Sequence, residues 1–194
     1  DNDILLIFDE VITGFGRLGT SFAAQYFDVI PDMIVCAKGL TSGTVPMGAV
    51  MVKKEIYDMY QKGDPKMIDL FHGYTYSAHP LASAALIATL EVYLGEGLFE
   101  RVAQLESYWE ESLHSLKGLN HVIDIRNLGL VGGIEMSSKN GQVGSRGYDI
   151  FERGFHDENI LLRFTGDIIA LSPPLIADEE HIDQIIRSLK KIIS

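Results

Sequence analysis

Short apolar runs dominate the first fifty residues, and helical spacing dominates much of the remaining chain. Residues 4–8 and 33–37 are apolar runs, the second set between Pro31 and Gly39, a pattern that predicts strands buried on both faces. Residues 21–27 predict a short helix, 47–52 a third strand and 53–61 a further helix. From Pro80, itself suited to a helix entry, apolar residues recur at helical spacing through Leu81, Ala85, Leu86, Leu90 and Tyr93. Gly95-Glu96-Gly97 interrupts that helix, and an amphipathic stretch over 98–116 ends at Gly118. Extended segments come next at 122–126, 130–136, 160–163 and 168–171, with helices at 147–158 and 178–193. The pattern predicts an α/β chain: part of a mostly parallel, open sheet over residues 1–96, then a small α+β domain over residues 97–194.

Composition narrows the classes. The 194 residues are 46% hydrophobic and 22% charged, the balance of an ordinary globular chain. A formal net charge of -11 without a local Lys/Arg cluster argues against a nucleic-acid partner. No apolar run reaches the roughly 18 residues of a membrane helix. The sole cysteine, Cys36, has no partner for an internal disulfide and fits a reducing compartment, with the cytoplasm as the expected location. The six histidines have no metal-ligand spacing, so no metal site is expected.

Candidate chemistry sits where the first two strands end. Open parallel sheets bind ligands just beyond the carboxyl ends of their strands, and Asp9 and Lys38 both fall there. A carboxylate held against a pyridine nitrogen keeps that nitrogen protonated, and a partly desolvated lysine forms a Schiff base with an aldehyde. Pyridoxal 5'-phosphate requires both groups. The plainer readings are a turn-forming Asp and a solvated Lys. Val11 reads either as a core residue or as a contact for a ring face, and Glu10 has no role derivable from sequence. Thr75 lies among small and hydroxylic residues ahead of a helix, where a phosphate could bind or a turn could form. Arg163 ends an apolar segment, either to bind a carboxylate bidentately or to form an ion pair, for instance with Asp167. Arg17 and Arg126 are weaker candidates.

Gly14-Phe15-Gly16-Arg17-Leu18-Gly19 spells a dinucleotide-binding glycine pattern. Residues 9–13 separate it from the strand and bring two carboxylates where a pyrophosphate would sit, so that reading is rejected.

The segments Asp9-Glu10-Val11-Ile12-Thr13-Gly14-Phe15-Gly16-Arg17-Leu18-Gly19 and Ala37-Lys38-Gly39-Leu40 resemble the signature segments of the fold-type I, class III aminotransferases. Phe71-His72-Gly73-Tyr74-Thr75-Tyr76-Ser77-Ala78-His79-Pro80, residues 98–118, residues 124–132 and Leu162-Arg163-Phe164-Thr165-Gly166-Asp167 resemble the omega-amino-acid:pyruvate branch, closest to its β-alanine:pyruvate enzymes. The resemblance implies a large cofactor-binding domain continued by a small C-terminal domain. It implies pyridoxal 5'-phosphate bound by Asp9, Val11, Lys38 and Thr75, with Lys38 carrying the covalent link and moving the proton. Thr75 would reach the phosphate of a neighbouring subunit in a homodimer or dimer of dimers, and Arg163 would bind a substrate carboxylate. Substrates would be an omega-amino acid or amine such as β-alanine and a keto acid such as pyruvate.

Only the C-terminal half of that family is matched, so we expect a truncated chain that binds the cofactor weakly and turns over negligibly when isolated. Three alternatives stand beside the transaminase: a racemase or aminomutase on the same fold, a nicotinamide oxidoreductase, and a catalytically empty fragment.

Overall fold

A computed structural model describes residues 3–67, 70 and 72–193; Phe71 of the quoted motif lies outside the described residues. The chain divides into two compact units, Asp1–Gly16 with Thr20–Gly97, and Arg17–Gly19 with Leu98–Ser194. A single division after residue 96 would leave Arg17–Gly19 in the first unit. Hydrogen bonding ties them to the second: Leu130 N donates to Arg17 O at 3.0 Å, and Arg17 Nη1 donates to the carbonyl of Pro173.

In the first unit, β1 (Ile7–Asp9), β2 (Met33–Cys36) and β3 (Ala49–Val52) form a sheet in the order β1-β2-β3. β1 and β2 run parallel with Asp9 level with Val35, and β3 returns antiparallel to β2. Leu6, just ahead of the ladder, bonds to Asp32 through both its carbonyl and its amide. Leu6 N donates to Asp32 Oδ2 at 2.8 Å, while Lys53 Nζ donates to Asp32 Oδ1 at 2.8 Å. The Lys53 ammonium, with the Leu6 N–H, holds this carboxyl below the usual carboxylate range.

Among the described residues this unit also holds the α-helices α1 (Ala23–Tyr26), α2 (Lys54–Tyr60) and α3 (Pro80–Gly95). Phe22, at the N-cap of α1, has no side-chain oxygen for the orphan amides that open every helix. Glu10 supplies both acceptors. Its buried carboxylate accepts from Ala23 N and Ala24 N at 2.8 Å each and from Thr13 Oγ1 at 2.6 Å. Cys36 is buried in β2.

The faces of β1 and β3 are not buried as their apolar runs predict. Ile7 is 54% exposed and Val50 60% exposed. The physical reason is local: α3 packs chiefly against the 3-10 turn Lys38–Thr41 and leaves the sheet faces open. No single described helix is long and apolar enough to cross a membrane.

The second unit is built on an antiparallel sheet of β4 (Val122–Leu128), β5 (Val131–Met136), β6 (Arg163–Thr165) and β7 (Ile168–Leu171), in the order β4-β5-β7-β6. Helices α4 (Leu98–His114), α5 (Ser145–Asp157) and α6 (Glu179–Ile193) accompany it. Buried residues repeat at three and four along α4, through Val102, Leu105, Trp109 and Leu113, and along α6, through Ile182, Ile186 and Leu189. Asp178 caps α6 by accepting from His181 N at 3.0 Å. β6 begins at Arg163, later than the extended segment expected at 160–163. Ile160 N instead donates to Gly154 O at 2.9 Å, so residues 160–162 close off the end of α5 before the ladder starts.

Gly129 and Gly132 are among the glycines that admit close approaches in this unit. Gly129 has φ +51° with the Arg17 carbonyl 2.5 Å from where a Cβ would stand. At Gly132 a Cβ would lie 2.6 Å from Leu113 Cδ2 and 3.0 Å from Trp109 Cζ2. Overpacking of this kind destabilises by about 1–3 kcal/mol. Gly132→Ala is therefore expected to lower the stability of the second unit to urea by that amount, read from the fluorescence of the only tryptophan, Trp109. An unchanged midpoint would contradict this packing.

Candidate active site

β1 and β2 end at one edge of their sheet, and each delivers one ionisable side chain there. Asp9 is the last residue of β1; Lys38 lies two positions beyond Cys36, the last residue of β2. Neighbouring parallel strands lie about 4.8 Å apart, so the register brings the two residues to adjacent strand ends. Both are exposed. Asp9 Oδ1 accepts from Val11 N at 3.1 Å, a turn that the plainer reading of a strand-end Asp anticipates. Val11 lies in that turn and is half-buried.

Lys38 departs from expectation in one respect. The apolar run predicts a partly desolvated amine behind Val35, Cys36 and Ala37, yet of these Cys36 is buried while Lys38 is exposed. The cause is the backbone: Lys38 opens a 3-10 turn beyond the strand end. Its φ is +47°, in the left-handed region where a residue with a Cβ is strained. Strain of this kind costs of order 1–3 kcal/mol and gathers at functional sites.

The two adjacent carboxylates have separate fates. Glu10 is fully engaged in capping α1 and supporting Thr13, which leaves Asp9 as the carboxylate facing solvent. One sequence clue points to this division: a helix start at Phe22 with no acceptor of its own requires one from elsewhere.

Thr75 belongs to the same unit, in the 3-10 turn Tyr74–Tyr76 ahead of α3, and is exposed. Its N–H donates to Gly73 O at 2.8 Å, so it serves as a turn residue with a solvent-facing position. A cavity of about 490 Å³ in this unit is lined by Met47, Gly48, His72, Tyr76 and His79, and includes neither Asp9 nor Lys38.

Arg163 lies in the second unit, opening β6 opposite Ala170. It is exposed and borders a cleft of about 380 Å³ with Leu161, Ser172 and Pro174. Asp167, the anticipated alternative ion-pair partner, is committed elsewhere. It is buried and accepts from Gly144 N at 2.9 Å, from Arg146 N and Gly147 N at 3.0 Å each, and from Ser138 Oγ at 2.7 Å. The weaker arginine candidates are structural. Arg126 Nη1 pairs with Asp124 at 2.7 Å and Glu135 at 3.0 Å, and Arg17 bonds backbone carbonyls.

The glycine pattern at residues 14–19 forms turns. Phe15 N donates to Ser21 O at 2.7 Å and Gly16 N to Thr20 O at 3.1 Å, so the glycines do not open a helix as a dinucleotide fold requires. Gly14 allows contact with Glu10 O, 2.9 Å from its would-be Cβ.

Comparison with known proteins shows the family. The class-III aminotransferase family model matches residues 1–193, and the chain belongs to that family. It is 55% identical over 192 residues to an omega-aminotransferase of Caulobacter vibrioides, covering 99% of this chain and 44% of that protein. It is 44% identical over 190 residues to a beta-alanine--pyruvate aminotransferase of Pseudomonas aeruginosa, covering 95% of this chain and 41% of that one. Among solved structures, an (S)-enantioselective omega-transaminase from Thermomicrobium roseum superposes with a TM-score of 0.88 at 35% identity, covering 97% of this chain and 43% of its own. The chain thus spans less than half the length of the relatives it matches.

Asp167 yields a pH prediction. Burial pushes its pKa up, but the hydrogen bonds from Gly144, Gly147, Ser138 and Arg146 outweigh burial and hold it below the ordinary carboxylate value. A depressed pKa contributes stability above the unfolded value of about 4, and the contribution is lost as pH falls through the folded value. Asp167→Asn is expected to destabilise the second unit by about 1–3 kcal/mol at pH 7. The difference from the parent should shrink in urea titrations below about pH 4. A gap independent of pH would contradict the role assigned to this carboxylate.

Proposed function

We propose that these residues form the C-terminal portion of an aminotransferase site that uses pyridoxal 5'-phosphate, with Lys38 as its covalent and proton-moving residue. The observation that carries this reading is the joint exposure of Asp9 and Lys38 at the ends of paired parallel strands, with Glu10 withdrawn into helix capping. An exposed carboxylate and an exposed amine at one sheet edge are the donor set that cofactor needs, and family membership supports it.

When bound, pyridoxal 5'-phosphate supplies an electrophilic aldehyde and a protonated pyridine ring that withdraws electrons. The remaining work belongs to the protein. Asp9 would hold a protonated ring nitrogen through a charge-assisted hydrogen bond to its carboxylate. Lys38 Nζ would be the amine that holds the cofactor covalently and the group that moves the proton at the reacting carbon. Val11 offers apolar contact to a ring face. Thr75 offers its hydroxyl to the phosphate held by a second copy of the chain, which makes a homodimer the working unit. Arg163 pairs with the substrate carboxylate.

The substrates we propose are an omega-amino acid or amine, with β-alanine as the first donor to test, and pyruvate as acceptor. The relatives' names support that choice. The cytoplasm is the proposed location. The open apolar strand faces support a further reading, that the working enzyme covers them with polypeptide beyond these residues.

Borohydride reduction of the cofactor-loaded protein, expressed from its whole reading frame, is expected to attach a pyridoxyl group to Lys38, located by peptide mass spectrometry. Labelling elsewhere, or none, would remove the reading. Alanine formed from β-alanine and pyruvate should fall by about 10³-fold or more in Lys38→Ala. Arg163→Ala is expected to lower kcat/KM for carboxylate-bearing donors by about 10- to 150-fold, the value of a charge-assisted hydrogen bond, with little change for uncharged amines. Equal losses for both donor types would argue against carboxylate recognition by Arg163.

A further inference from the structure

Lys38 occupies a backbone conformation that its own side chain disfavours, so neighbouring groups must impose it. Two side chains from distant positions bear on the next residue, Gly39. Tyr93, on α3, donates its hydroxyl proton to Gly39 O at 2.7 Å. Phe15, in the glycine-rich turn, fills the space beside Gly39, where an added Cβ would come within 2.9 Å of Phe15 Cβ and 3.2 Å of its ring.

The two rings belong to one cluster. Phe15 and Tyr93 lie 6.4 Å apart between centroids with an interplanar angle of 29°, and Phe22 meets Phe15 edge-on at 5.4 Å. Phe15 itself is held at φ +59°, an uncommon conformation for a bulky residue, and is only 7% exposed. Backbone bonds complete the restraint: Leu40 N to Ala37 O at 3.1 Å, Ser42 N to Gly39 O at 3.2 Å and Gly43 N to Lys38 O at 3.2 Å. The Gly39 carbonyl therefore accepts from the turn and from α3 together, which leaves the turn little freedom to relax.

We infer that Tyr93 and Phe15 are positioning residues that lock the Lys38–Gly39 turn in its strained form and so aim the lysine amine at its covalent partner. The inference rests on the reading of Lys38 as the covalent lysine. Neither ring needs to touch substrate or cofactor. Their contribution is the preorganisation of one amine, which would otherwise relax toward an unstrained backbone and sample many orientations.

The test uses the protein expressed from its whole reading frame, with pyridoxal 5'-phosphate as the probe. Tyr93→Phe keeps the ring and removes the hydroxyl. It is expected to weaken cofactor retention in equilibrium dialysis by about 3- to 10-fold, the range of one lost hydrogen bond. Borohydride labelling of Lys38 should fall in parallel, with kcat lowered more than KM. A double-mutant cycle separates positioning from general stability. If Tyr93 acts through the lysine, Lys38→Ala and Lys38→Ala/Tyr93→Phe retain cofactor equally. A Tyr93 effect undiminished without Lys38 would overturn the inference, as would wild-type retention and labelling in Tyr93→Phe. Phe15→Leu trims the wedge while leaving the Tyr93 hydroxyl and should move the same readouts in the same direction. Absence of label on Lys38 in the unmodified protein would instead refute the reading of that lysine, a result distinct from failure of the clamp.

Discussion

The parallel ladder between β1 and β2 is the constraint on which the site depends. Its register sets Asp9 level with Val35, and the chain turns out of the sheet two residues after Cys36. A slip of one residue would carry Asp9 to the other face and offer Glu10 at the edge instead. Glu10 opposes that slip. Its carboxylate is bound to two amides of α1, so a shifted strand would leave those donors unpaired and bury an unsatisfied charge. The fold itself thus divides the acidic pair: Glu10 anchors a helix and Asp9 is left exposed at the strand end.

The second unit solves a similar problem with different groups. Asp167, in the two-residue turn between β6 and β7, gathers amides from the start of α5, and Ile160 bonds the end of the same helix. Gly147 permits the first approach, since a Cβ there would fall 2.3 Å from Gly166 O. The strand that carries Arg163 is therefore tied at both ends to one helix. A rigid mounting suits the carboxylate recognition proposed for Arg163, because a small displacement weakens bidentate recognition steeply.

How much of this is legible in the sequence depends on the range of each interaction. The helices of residues 98–114 and 179–193 are written in local periodicity, whereas that of residues 80–95 is marked by its Pro80 entry and its glycine break and buries Ala82, Thr89 and Tyr93 rather than the expected Leu81 and Leu90; the strand-end positions of Asp9 and Lys38 are set by short apolar runs. Roles that depend on partners far along the chain leave no local mark. Glu10 serves amides 13 and 14 residues away, and Tyr93 reaches Gly39 across 54 positions. Asp167 reads as a possible partner for Arg163 because sequence displays proximity and hides direction. The expected burial of the strands fails for a related reason: apolar composition records that a face is to be covered, and the cover need not come from the neighbouring segment. The exposure of Lys38 escapes the same reading because a left-handed residue at a strand end is invisible to hydropathy.

The sole thiol, Cys36, ends β2 two positions before that turn. Cys36 is only 2% exposed, and burial pushes its pKa up, so thiolate is scarce where an oxidant or alkylating reagent would have to find it. Alkylation or oxidation of Cys36 is consequently slow in the folded chain, and sulfur chemistry at this position becomes a clock for the opening of the central strand.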